Sequence, residues 1–331
     1  MSAQPHRSAA VLRLLRRFLF GALMLAGVAV GALALLFLLP NGGAAVGPPT
    51  AKPPVSVSRV TEVRTTLRRF LPFVPPPPIP ADCAAATATA TQAAAQDNAA
   101  SETTALIAPF GAPEAGWATY APLIAHEVST VCPPESPGFA AALARWQSAH
   151  GAPATGRVDA PTLSTLATTW LLRRPFVRAM RSGCPPSPDE ATLEKAAPVE
   201  AFGGKTILGR PGALDAYRRM VAEARTALHL APPTLTLASG YRGPAEETAR
   251  CADGSCGVLR KAHCSAHRTG LAFDVYLGAA PGRDPFSTED DNRLFQTRTP
   301  AYHWLVANAD RFGFVPYPFE PWHWEWTGES P

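Results

Sequence analysis

The stretch Cys264–Gly278, CSAHRTGLAFDVYLG, sets His267 and Asp274 seven residues apart on either side of Gly270. Glycine lets a chain turn without steric cost, so the two polar side chains can be returned to one point. On a short strand after the turn, side chains alternate between faces, so Ala272 and Asp274 share one. The small Ala272 leaves space for whatever the aspartate holds. An imidazole and a carboxylate in this arrangement are half of a zinc site. The other half is expected near the C-terminus, where Phe319-Glu320-Pro321-Trp322-His323-Trp324-Glu325-Trp326 supplies a second imidazole with a carboxylate three residues before it. His267, Asp274 and His323 would then hold one zinc ion. Glu320, its link to His323 stiffened by Pro321, is left over as a general base.

Outward from this pair, Leu214–Leu230 carries apolar residues at helical spacing and ends before Pro232-Pro233, after which Thr234–Ala238 alternates as a strand. That strand delivers Ser239-Gly240-Tyr241-Arg242-Gly243, where Arg242 is a fixed cation able to grip a carboxylate or steady a developing oxyanion. Asp290–Asp310 reads as helices, Phe312–Val315 as a strand, and Trp322–Trp326 as the closing strand. His263 and His303 are the substitute imidazoles. The first sits among cysteines and the second within a helix beside Trp304, so both rank below His267 and His323.

The rest of the chain reads as delivery. Phe18–Leu39 is 22 residues without a charge, enough at about 1.5 Å per residue to cross a hydrocarbon core of about 30 Å. Arg7, Arg13, Arg16 and Arg17 precede it, so residues 1–17 are expected in the cytoplasm, 18–39 as an uncleaved membrane anchor, and the remainder outside. A cleaved signal peptide has a shorter apolar region, about 7–15 residues. Residues 40–116 read as a linker rich in proline and alanine, with Ala84–Ala100 low in complexity and poorly ordered. The six cysteines, Cys83, Cys132, Cys184, Cys251, Cys256 and Cys264, suit disulfides in an oxidising compartment. A zinc site on Cys251, Cys256, His263 and Cys264 is the rival reading, and its spacing matches no common finger. The net charge of +4 is dispersed rather than gathered into a stripe, which excludes a nucleic-acid footprint.

Residues 117–183 turn helical. Phe139, Leu143 and Trp146 fall on one helix face, a turn at Gly151–Gly156 ends it, and Asp159 caps the next helix. The wording Arg145-Trp146-Gln147-x-x-His150-Gly151-x-Pro153-x-x-Gly156-x-Val158-Asp159-x-x-Thr162-Leu163 resembles the small helical peptidoglycan-binding domain of cell-wall hydrolases. That likeness implies contact with the wall.

Residues 199–331 form the last domain. From about Gly212 to Trp326 it resembles the zinc D-alanyl-D-alanine carboxypeptidases of the VanY type, together with D-Ala-D-Ala dipeptidases and phage L-alanyl-D-glutamate endopeptidases. The Ser-Gly-Tyr-Arg loop, Ser265-x-His267-x-x-Gly270-x-Ala272-x-Asp274, and Glu320-Pro321-Trp322-His323 stand in family order. The resemblance implies a compact α+β domain whose antiparallel sheet carries one zinc ion on His267, Asp274 and His323. It further implies Glu320 as base, Arg242 on substrate or oxyanion, Tyr241 and Ser265 near the peptide, and peptidoglycan stem peptides as substrate. The cysteine-bearing stretch Gly243–Cys264 departs from the pattern, so carboxypeptidase and endopeptidase both stay open, as does a non-catalytic wall-binding protein. No Ser-x-x-Lys motif precedes any lysine, and Val199 stands where a phosphate loop needs its first glycine.

Overall fold

A computed structural model describes residues 79–86, 88–254, 256 and 263–331. The basic N-terminus, the apolar span Phe18–Leu39 and the spacer up to residue 78 lie outside the described residues. Among those described, no helix is long and apolar enough to cross a membrane.

The described chain begins with α1 (Ala81–Ala84) and α2 (Thr89–Ser101), and here the expected poor order of Ala84–Ala100 is overturned. Alanine is the best helix former, and its small side chain permits close approach. Ala94 and Ala95 pack on Ala140, while buried Asn98 donates to Gly156 O and accepts from Val158 N, both at 2.9 Å. A disulfide between Cys83 and Cys132 ties down α1.

A two-residue hairpin, β1 (Leu106–Ile107) with β2 (Glu114–Ala115), leads into α3 (Ala121–Glu127), α4 (Pro137–Ala149) and α5 (Ala160–Arg173). Phe139, Leu143 and Trp146 are buried on the expected face of α4. Ser136 Oγ and Asp159 Oδ1 accept from the backbone N–H groups of Phe139 and Thr162, the usual satisfaction of free donors at a helix start. Gln147 fixes the intervening loop, accepting from Gly156 N at 2.8 Å and donating to Arg157 O and Thr162 Oγ1.

After α6 (Pro175–Ala179), β3 (Glu194–Lys195) pairs with β4 (Leu208–Gly209), and α7 (Pro211–Leu228) buries Leu214, Tyr217, Met220, Val221 and Ala224. The principal sheet has β5 (Leu237–Ser239), β6 (Ala272–Val275), β8 (Glu320–Trp326) and β7 (Phe314–Tyr317) in that order, every neighbouring pair antiparallel. Strand β5 starts later than expected because Leu235 adopts φ +62°, which takes that residue out of the extended region. Between the strands lie α8 (Pro244–Arg250), α9 (Asp290–Thr297) and α10 (Pro300–Asn308). The result is mixed helix and antiparallel sheet, α+β as expected.

One contiguous apolar core joins Phe273, Val275 and Trp324 of the sheet to Tyr217 of α7, Leu305 of α10, and Phe139 and Leu143 of α4. The cysteines pair as disulfides, but with Cys264 joined to Cys184 and Cys251 to Cys256. The loop leading into His267 is thereby stapled to the segment after α6.

Candidate metal centre

The β6–β8 register sets Asp274 directly opposite His323, so their side chains emerge on one face. His267 arrives from a single turn, Ala266–Thr269, which Gly270 ends at φ +70°, the left-handed conformation that glycine adopts freely. All three are buried. His267 Nε2 lies 3.2 Å from Asp274 Oδ2, and His323 Nδ1 lies 2.9 Å from Asp274 Oδ1. One donor atom from each of the three lies within 4.8 Å of the other two, and imidazole nitrogen with carboxylate oxygen is a donor set that suits zinc.

The tautomers fit as well. His267 Nδ1 is 2.7 Å from Gly240 O, and a carbonyl only accepts, so the proton is on Nδ1 and the lone pair of Nε2 faces the aspartate. His323 presents Nδ1 to the site, while its buried Nε2 makes no hydrogen bond and stands 3.5 Å from Glu325 Oε1. Burial works to raise the Asp274 carboxyl, but the two imidazoles outweigh it and hold it well below the usual carboxylate range. Desolvation lowers His267. In His323 burial acts the same way, yet the carboxylates of Asp274 and Glu325 overcome it and push the ring up to about 9. A divalent cation would replace that proton as the partner of Asp274.

Glu320 opens β8 beside the histidine and is partly exposed. Desolvation raises its carboxyl above the ordinary value, and the charges of His323, Asp274, Arg174 and Arg242 all act on it. A carboxylate outside the ligand set, poised to hold a proton, has the character of a general base. Arg242 caps the same space. Its N–H donates to His267 O at 3.2 Å, its guanidinium donates to Ser239 Oγ at 3.1 Å, and its charge reaches Asp274.

Residues 259–329 match the family model described as VanY, D-alanyl-D-alanine carboxypeptidase. That segment is a VanY-type domain. The match supports, for this segment, a peptidoglycan-acting family of carboxypeptidases and related peptidases. No curated protein matches the chain. The VanY-type segment contains His267, Asp274, Glu320 and His323, whereas Arg242 and Tyr241 precede it.

The structure does not gather every residue of the expected site. Tyr241 turns its hydroxyl to Ser187 Oγ, 2.7 Å away. Ser265 donates from both backbone N–H and Oγ to Glu247 Oε1, each at 2.9 Å, and so braces the VanY-type turn from behind. His303 is exposed on α10. His263 lies near Cys251 and Cys256, but those sulfurs are bonded to each other and offer no thiolate.

Three residues around the VanY-type centre escaped the sequence reading. Glu247 of α8, almost wholly buried, accepts from Ser265 and from Arg268 Nε at 2.7 Å. Glu325, also buried, stands behind His323 and pairs with Arg174, which lies far outside the matched segment. Its carboxyl is driven down to about 2, the charge of Arg174 outweighing burial. Glu325 shares a face with His323 on the closing strand, a signal that the sequence did carry although it assigned Glu325 no role. Glu247 and Arg174 look like ordinary helix-terminal charges.

Proposed function

We propose that the protein is a zinc-dependent D-alanyl-D-alanine carboxypeptidase acting on peptidoglycan stem peptides. The observation that carries this is the convergence of His267, Asp274 and His323, with Glu320 outside the ligand set, inside a segment that matches the VanY family. Zinc held by those three residues would supply Lewis-acid polarisation of the scissile carbonyl and of the attacking water. Glu320 takes a proton from that water as the new C–O bond forms and returns it to the leaving amine as the C–N bond breaks. Arg242 grips the terminal carboxylate of the peptide or steadies the oxyanion. The same reading assigns wall contact to residues 117–183 and membrane attachment to Phe18–Leu39. Both rest on the sequence, with the catalytic domain outside the cytoplasmic membrane.

The test incubates the compact unit Pro76–Pro331 with a pentapeptide ending in D-Ala-D-Ala and with cross-linked muropeptides, with and without chelator. Release of D-alanine that chelator abolishes and zinc restores is the expected result. Cleavage confined to cross-linked material would make the protein an endopeptidase. A Glu320→Ala variant that retained both zinc and full activity would remove the base from this scheme.

A further inference from the structure

We propose that Arg174, contributed by the helical segment before the VanY-type domain, is a positioning residue for the metal centre, acting through Glu325 on His323. This cation comes from outside residues 259–329, the segment that matches the family model. The inference rests on the reading of His267, Asp274 and His323 as the ligands.

Arg174 sits in the extended link between α5 and α6, with φ −69° and ψ 127°. Pro175 follows it and disfavours helix at the preceding residue, so the chain breaks here and the side chain is thrown toward the sheet. There Arg174 Nε and Nη2 both reach Glu325 Oε1, at 2.6 and 2.5 Å, and Phe176 N–H donates to Oε2 at 3.1 Å. The guanidinium also lies 4.0 Å from the ring centre of Tyr317, and the Tyr317 ring packs edge-on against His323 at 6.0 Å. Arg174 is 7 % exposed and Glu325 1 %. Arg174 thus touches two of the groups packed on the His323 ring, Glu325 and Tyr317.

The consequence is tautomeric. For Nδ1 of His323 to ligate, its proton must sit on Nε2, and the group facing Nε2 is the Glu325 carboxylate at 3.5 Å. Partners of this kind orient a ligating imidazole, and their loss typically costs about 10–100-fold in metal affinity. A carboxylate held by a planar, two-pronged cation cannot swing away from the ring; one held by a lysine can.

The experiment titrates the chelated full-length protein with Co2+ and records the visible absorption of the bound ion. It does so for wild type, Arg174→Met, Arg174→Lys and Glu325→Gln, each checked for native circular dichroism. Arg174→Met and Glu325→Gln are expected to raise the Co2+ dissociation constant about 10–100-fold and to alter the band pattern, with Arg174→Lys recovering only part. Loss of ion-pair stability alone would leave the affinity and spectrum of the folded variants untouched. Wild-type affinity and spectrum in a folded Arg174 variant overturn the proposal, and if Arg174→Met does not fold, Arg174→Lys and Glu325→Gln decide it by the same criterion. Failure of wild type to bind Co2+ would instead overturn the ligand assignment, and the inference with it.

Discussion

Arg293 of α9 offers the sharpest test of how the elements are joined. Its side chain is fully buried, yet it donates to Glu114 Oε2 at 2.7 Å, to the Tyr120 hydroxyl at 2.6 Å and to Phe319 O at 2.8 Å. Glu114 and Tyr120 belong to the segment before the sheet, and Phe319 immediately precedes Glu320. Replacing Arg293 by methionine keeps most of the volume but strands a buried carboxylate, a change that costs about 3–5 kcal/mol where one partner of a buried pair is removed. Burial already lifts the Glu114 carboxyl above its ordinary value even with the arginine present. In the variant it rises further and takes up a proton. A group with a raised folded-state value contributes stability below its unfolded value and loses it as pH rises through the folded one, so the cost grows from pH 5 to pH 8. Urea unfolding of residues 76–331, followed by tryptophan fluorescence, measures it. Adding Glu114→Gln to Arg293→Met is expected to recover about 1–3 kcal/mol, since the uncompensated charge is gone. A cost under about 1 kcal/mol, or one that neither changes with pH nor couples to Glu114, would refute the reasoning.

Glu247→Ala strands Arg268 and frees the Ser265 turn, so it is expected to lower stability by about 3–5 kcal/mol, an effect that Arg268→Met in the same chain partly relieves in the same urea assay. The Glu325 carboxyl, depressed from 4.5 to about 2, contributes about 3 kcal/mol that is present above the unfolded value and lost as pH falls toward 2. The metal-free Glu325→Gln variant is therefore expected to lose that part of the acid sensitivity, and an acid-unfolding curve matching wild type would contradict the pairing. The Cys184–Cys264 link closes a loop of 80 residues, worth about 4 kcal/mol in the chain-entropy account. A double serine variant with unchanged urea midpoint would show that the staple is redundant.

The convergence of His267, Asp274 and His323 was legible because its determinants are local. His267 and Asp274 are bound to each other by a turn and a two-residue alternation, and Glu320 and His323 by a proline-stiffened strand start, so residue type and spacing carry the geometry before any packing is known. Helix starts were legible for the same reason, as Asp159 shows. Tyr241 and Ser265 lie on legible elements, but where a side chain points depends on what approaches it. Ser187 and Glu247 approach from segments 54 and 18 residues away in the chain. The alanine-rich helix Thr89–Ser101 was misread because low bulk signals disorder when counted by composition, whereas Ala94 and Ala95 fit only because Ala140 is equally small. Arg174, Glu247 and Arg293 mark the deeper limit. A charged residue has the same letter whether solvated or buried, and only its partner distinguishes the two. Those partners are 151, 21 and 179 residues away. Two of these three distant pairs tie residues before the sheet to the C-terminal part: Arg174 to Glu325 of β8, and Glu114 to Arg293 of α9, which donates to Phe319 O. The sequence therefore shows which residues converge at the site, while the Arg174 pair that braces β8, beyond its ladders with β6 and β7, comes from a residue 151 positions away that no local pattern marks.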